Sequence, residues 1–268
     1  MRIRIELRSE AVPQRLPLNA NYHLTSLIYR LLERSSRDFS EFLHDEGFRS
    51  GTKRFKLFTY SQLRADNYRI EPPWLVALEP RLVWEISSPV NAFVEHLADG
   101  LLREGRVRLY DETFSAELLI ERVETVVPPE FTERMTFVCR SPLVASRPVE
   151  RNGRLIAHYY RHDEDGLSDA IRDNLVRKHR VLHGSAPSSV ELMLRFDPGY
   201  CHRRRGKVDK LIDFKGTKIK GILAPFSVEG NPELIEVGYE AGFGEKNSMG
   251  FGMVTVIAPR ARGDADEC

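Results

Sequence analysis

Cysteine is scarce in this chain: Cys139, Cys201 and Cys268 are odd in number, widely spaced and nowhere in a Cys-x-x-Cys pair. That excludes a disulfide framework or a cysteine zinc site, and it fits a reducing cytoplasm. Long apolar runs are missing too. None approaches the roughly 20 residues of a membrane helix, and the opening Met1-Arg2-Ile3-Arg4-Ile5-Glu6 has no hydrophobic centre of a secretion signal. No membrane partner is expected. Net charge is nearly absent, at +1 over 268 residues, which by itself does not point to nucleic acid. The average conceals a gradient. Between Arg203 and Lys220, eight basic residues, among them Arg203, Arg204, Arg205, Lys218 and Lys220, stand against Asp209 and Asp213. The balancing acids lie at Asp163, Glu164 and Asp165 and in an acidic tail, residues 261–268. A local field of this kind steers polyanions whatever the total charge. Metal motifs are the last absence. His158-x₃-His162 and His179-x₃-His183 have a spacing that can hold zinc, but neither is a His-Glu-x-x-His and no cysteine or carboxylate completes either. They read as structural or surface histidines, and neither a metal nor a cofactor is expected.

What the chain does have is periodicity. Met1, Ile3, Ile5 and Leu7 alternate with charged residues, as in a half-buried strand. Over residues 22–33, Leu24, Leu27, Ile28, Leu31 and Leu32 follow the helical repeat. Ser35-Ser36-Arg37-Asp38 predicts a second helix carrying Phe39, Phe42 and Leu43 inward, closed by Gly47 as a left-handed cap. Strand-like runs at Phe55–Ser61 and Arg81–Ile86, a helix over about 90–103, and strands at Val107–Tyr110 and Ala116–Val123 complete a βα-ββ-αβ unit. Val126-Val127-Pro128-Pro129 reads as a linker. The pattern then recurs: a strand at Met135–Arg140, a helix near 166–180, strands at Val190–Phe196 and Ile219–Val228, a helix opening with Asn231 and Pro232, and a strand over Gly250–Ile257. The class is α+β, two tandem ferredoxin-like (RRM-like) domains at residues 1–125 and 130–260.

The most informative stretch is Gly238–Val254, with five glycines in fifteen positions between a helix and a strand. A tight turn needs fewer. A nucleotide P-loop, suggested by Gly244-Glu245-Lys246-Asn247-Ser248, needs Gly-Lys-Ser/Thr contiguous and a strand before it, and here the order is reversed. What remains is a loop that grips an RNA backbone. In it Gly242, Gly244, Gly250 and Gly252 admit close approach, while Lys246, Asn247 and Ser248 donate hydrogen bonds. The Arg203–Lys220 run predicts a hairpin or insertion with phosphate-binding charge, or a solvated basic loop.

The segment Gly238–Val254 resembles the C-terminal glycine-rich loop of the CRISPR-associated protein six family, the repeat-RNA-processing endoribonucleases. The Leu27-Ile28-Tyr29 helix, Phe42-Leu43-His44, Lys56-Leu57-Phe58-Thr59-Tyr60 and Ser141-Pro142 are similar to that family as well, so the resemblance runs nearly end to end. It implies tandem ferredoxin-like domains and metal-independent cleavage within the repeat, leaving a 2′,3′-cyclic phosphate and a 5′-hydroxyl. Its implied partner is CRISPR repeat RNA, as precursor and as mature guide. A CRISPR effector complex and a second copy of the chain are further partners it admits.

The resemblance assigns three catalytic positions. Tyr29 matches the family's tyrosine, to orient or deprotonate the 2′-hydroxyl; a phenol is a poor base at neutral pH, so orientation is its larger part. Position alone leaves it equally a tyrosine flanking the core. His44 lies in the last turn before Gly47, where a helix C-terminus favours imidazolium, and would act as general acid. On position alone, a structural or solvent-exposed histidine is the commoner case. Lys56, placed before a strand, would neutralise the phosphorane charge, with Lys53 as its rival because the spacer from His44 is longer than the family leads one to expect. A non-catalytic RNA holder or effector subunit would use the same loop but has no need of these three together. An unrelated RRM-like protein would show an RNP1 pattern, and there is no convincing copy of one.

Overall fold

The two repeats of the sequence pattern become two antiparallel sheets in a computed structural model that describes residues 1–257. In the first half the strands Arg2–Ser9, Thr59–Tyr60, Arg81–Ser87 and Ser115–Val126 lie in the order 4-1-3-2 by their sequence within the half, with Arg106–Tyr110 added at one edge. In the second half Arg134–Cys139, Leu192–Phe196, Phe226–Gly230 and Val254–Val256 take the same order. This is the ferredoxin-like arrangement, met twice. The acidic tail lies outside the described residues. Among those described, no helix is long and apolar enough to cross a membrane.

Helices α1 (Asn21–Ser35), α2 (Arg37–Glu41) and α3 (Asn91–Glu104) belong to the first half. The periodic positions of α1 are the ones that disappear into the core, where Leu24, Leu27, Ile28, Leu31 and Leu32 meet Ile3, Ile5 and Trp84. Ser36 caps α2 by accepting the Phe39 N–H. Helices α4 (Leu167–His183), α5 (Pro198–Arg203) and α6 (Pro232–Ala241) belong to the second half. As the motif predicted, Pro232 opens α6 and Asn231 caps it, accepting the Glu233 N–H at 2.9 Å. Phe137, Phe226 and Phe243 pack together at the centre of this second core, with ring centroids 5.3–5.7 Å apart.

Several sequence expectations need correction. Phe55–Ser61 is not one strand: Phe55 closes a short hairpin, Leu57 turns at φ 54°, and only Thr59–Tyr60 joins the sheet. Lys56 therefore follows a strand instead of opening one. Ile219–Val228 divides at Leu223-Ala224-Pro225, because proline cannot donate to a ladder. The last strand shortens to Val254–Val256, since Gly250–Met253 stay in the loop. Phe42 is exposed and rests edge-on against Phe48. Gly47 has φ 58° but ψ −165°, a glycine conformation outside the left-handed helical cap. The hairpin Ser146–Arg151 with Arg154–Tyr159, and the small sheet of Gln14–Pro17, Tyr68–Glu71 and Trp74–Ala77, were not foreseen.

The two halves are bolted together by polar groups. Arg2, 2% exposed, reaches from the first strand to the Val254 carbonyl at 2.7 Å and the Tyr239 carbonyl at 2.9 Å, with its guanidinium over the Tyr239 ring. On the other side Asn21 donates to the carbonyls of Met249 and Gly250, and Thr59 to that of Phe251.

Candidate active site

After α2 the chain widens into one π-helical turn, Phe42–Glu46, a local irregularity that re-aims side chains and recurs at functional sites. It presents His44 to solvent while Leu43 plugs the core. Gly47 then lies so close to the Phe55 carbonyl that a Cβ would sit 2.7 Å from it. The hairpin Phe48–Ser50 with Lys53–Phe55 doubles the chain back. Lys56 thereby returns to the turn it left, and its ammonium donates to the carbonyls of Leu43 and His44. The longer spacer is this hairpin, and Lys53 sits at its far end opposite Ser50. On α1, Tyr29 lies edge-on to His44, ring centroids 5.4 Å apart. Tyr29, His44 and Lys56 are thus brought together from three separate elements.

Their surroundings differ. The Asp45 carboxylate sits 2.6 Å from His44 Nδ1, a nitrogen that must carry a proton to donate to it, on a side chain 71% exposed. Burial pushes the Tyr29 phenol up to about 12, with Asp45 adding to the rise. It stays protonated at neutral pH and so keeps a proton to donate. Partial burial lowers the Lys56 ammonium, Asp45 opposing and Arg54 assisting.

Beside this group a cleft of about 270 Å³ opens between the halves. Lys53 and Lys56 stand on one wall, and Asn174, Lys178, Lys246 and Ser248 on the other. The glycine-rich loop forms that second wall, and its glycines play a different part from the one expected. Gly242, Gly244, Gly250 and Gly252 are all buried against the protein itself. At Gly250, φ 83°, a Cβ would lie 2.6 Å from Asn21 and from the Tyr60 ring. The N–H groups of Gly250 and Gly252 already bond the carbonyls of Asn247 and Pro142. These glycines shape the loop, and Asn247 does the same from inside. Its amide oxygen accepts from Lys178 at 2.7 Å while its nitrogen donates to the carbonyls of Phe243 and Phe251. Lys246 and Ser248, half-buried, are what the loop leaves open to a ligand.

The residue holding this wall is one the sequence reading passed over. Lys178, 2% exposed, spends its ammonium on the Gly242 carbonyl at 2.6 Å, the Gly244 carbonyl at 2.9 Å and Asn247. Burial pulls it down to about 7, with Glu245 opposing. A signal was present: Ile171, Asn174, Leu175 and Lys178 lie at helical spacing on the buried face of α4, so two polar residues occupy core positions. Arg203, Arg204 and Arg205, at the end of α5 and the turn after it, do not line the cleft. Lys218 and Lys220 sit on the predicted hairpin, Asp209–Phe214 with Thr217–Ile222; Lys218 faces Asp213 across the ladder, and Lys220 is paired with Asp209 at 2.8 Å. The hairpin tip reaches α1, where Phe214 packs edge-on to Tyr22 and Lys215 lies over its ring.

Residues 15–119 match the family model "CRISPR-associated protein Cas6, N-terminal", and residues 126–256 match "CRISPR associated protein Cas6, C-terminal". The CRISPR-associated endoribonuclease Cas6 of Pyrococcus furiosus is 30% identical over 265 residues, covering 94% of this chain and 88% of that protein. CRISPR-associated endoribonuclease Cas6 1 of Methanocaldococcus jannaschii is 27% identical over 258 residues, 96% of this chain and 93% of its own. Among solved structures, that of a Cas6-related gene product from Pyrococcus furiosus superposes with a TM-score of 0.83 at 22% identity, covering 96% of this chain and 98% of that one.

Proposed function

The chain belongs to the Cas6 family of CRISPR-associated proteins, and we propose that it is an endoribonuclease that cuts CRISPR repeat RNA within the repeat, without a metal. The observation that carries this reading is the convergence of Tyr29, His44 and Lys56 beside a cleft whose other wall is the glycine-rich loop. RNA brings its own nucleophile in the 2′-hydroxyl, so the protein need only align it, protonate the leaving oxygen and neutralise charge. The 2′-oxygen attacks phosphorus and its proton passes to water, because Tyr29 is itself protonated. Tyr29 donates to the reacting sugar–phosphate and holds it in line. His44, reacting as the imidazolium, gives its Nε2 proton to the 5′-oxygen as the P–O bond breaks and is left as the neutral Nδ1–H imidazole, with a 2′,3′-cyclic phosphate and a 5′-hydroxyl as products. Lys56, fixed by two carbonyls, lends positive charge to the phosphorane. Residues 1–125 carry the chemistry and residues 130–260 hold the RNA. All three catalytic side chains come from one chain, so a second copy is not needed to complete the site. The protein works in the cytoplasm, and a product still seated on the loop is ready for an effector complex.

The test is incubation with the host's repeat RNA in excess EDTA, beside an RNA carrying a single 2′-deoxy sugar at the cut site. Cleavage of the first and not the second is expected. Binding without cleavage in either metal or EDTA would reassign the protein as an RNA holder, and cleavage that EDTA abolishes would overturn the metal-free mechanism.

A further inference from the structure

Asn174 stands out in the cleft wall as a buried polar group with an unpaired atom among the described residues. It lies on α4 one turn before Lys178, is 5% exposed, and lines the cleft with Lys56 and Lys246. Lys178 next to it is fully engaged by three acceptors. The Asn174 Oδ1 is enclosed without a hydrogen-bond partner among the described residues. A buried amide oxygen left in that state costs stability, and a leucine of similar size at this core position would avoid the cost. Native proteins leave few such groups unpaired, and those they leave ask for an explanation.

The cleft itself says what is missing. Lys53, Lys56 and Lys246 stand against Glu245 alone, so it favours an anion, Lys178 being committed to the loop. At about 270 Å³ it lies just below the range of about 300–1,000 Å³ typical of small-molecule pockets. That is room for part of a single extended nucleotide and not for a duplex. An amide offers both a donor and an acceptor, and a half-turn about its last torsion exchanges them.

We propose that Asn174 is a substrate-positioning residue whose amide bonds an oxygen of the RNA backbone, a ribose 2′-hydroxyl or a phosphate, at one nucleotide seated between Lys56 and the glycine-rich loop. This rests on the RNA-cleaving reading above and adds to it a contact from the second half. The unpaired amide is then complete only when RNA is bound, and the helix that anchors the loop through Lys178 also senses the strand through Asn174.

The experiment uses the full chain, wild type, Asn174→Leu and Asn174→Ala, with repeat RNAs bearing 2′-deoxy or methylphosphonate at each position in turn. Asn174→Leu removes the unpaired amide, so its melting temperature should equal or exceed that of wild type while RNA affinity falls about tenfold, the equivalent of about 1.4 kcal/mol. One modified position should cost wild type about tenfold and cost either variant less than twofold. Whether that position responds to 2′-deoxy or to methylphosphonate identifies the oxygen. Variants that bind as tightly as wild type, or that lose the same amount at every modified position, would overturn the proposal and leave cleavage by wild type intact. A wild type that binds no repeat RNA would remove the functional reading and this inference with it.

Discussion

The two halves share a topology and bring polar residues of opposite exposure to the candidate site. In the first, His44 is 71% exposed on an irregular turn and meets Tyr29 and Lys56 at the surface. In the second, Lys178 and Asn247 are buried and spent on the shape of a loop. Side chains that exchange protons with a substrate must be reachable and their loss should spare the fold. Side chains that hold a surface must be enclosed, and their loss should damage both fold and binding.

His44→Ala should break the comparison on the chemical side. Single-turnover cleavage should slow by about 10²–10⁴-fold, the usual worth of one proton transfer, while repeat-RNA affinity and melting temperature stay unchanged. A parallel loss of affinity would move His44 to the binding side.

Lys178→Met should do the reverse. Three acceptors lose their donor, and denaturant titration should show a loss of about 3 kcal/mol with weakened RNA binding. The pH dependence sharpens this. Lys178 is lowered to about 7 in the folded protein against 10.5 unfolded, so the unfolded chain holds the extra proton between those values. Wild-type stability relative to Lys178→Met should therefore rise from pH 7 toward 10 and be smallest below 7. A gap independent of pH would mean the ammonium keeps its proton throughout.

Gly250→Ala places a methyl against Asn21 and Tyr60 at positive φ, and should cost about 2 kcal/mol of stability. If it weakens RNA binding with no change in melting temperature, the glycine meets the RNA after all. Lys220→Ala should matter least. Its charge is already matched by Asp209, so affinity should stay within about twofold and stability within about 0.5 kcal/mol.

Much of the fold was legible because periodicity and caps are local. Leu24 to Leu32 on α1, and Asn231-Pro232 at the start of α6, declare their elements without help from the rest of the chain. The strand runs at Phe55–Ser61 and Ile219–Val228 misled because a single backbone turn, at Leu57 or before Pro225, interrupts an otherwise apolar stretch. The candidate catalytic residues were legible only through family resemblance, since one tyrosine, one histidine and one lysine carry no pattern. Lys178 was hidden among Arg177, His179 and Arg180, where a lysine looks like surface charge. Its meaning depends on carbonyls more than sixty positions away. The glycines are expected to admit close approach, and in the structure it is the protein itself that approaches Gly242, Gly244, Gly250 and Gly252, because burial is decided by what packs on them.

Arg2 carries a consequence for synthesis. Its guanidinium finds its acceptors at Tyr239 and Val254, on the other half of the molecule. A ribosome adding about 5–20 residues per second delivers Val254 roughly 13–50 s after Arg2. Throughout that interval Arg2 lacks the two carbonyls that bury it, and within its own half only Glu85, 4.0 Å away in the finished fold, stands near its charge. A product truncated before Tyr239 should leave that guanidinium in water.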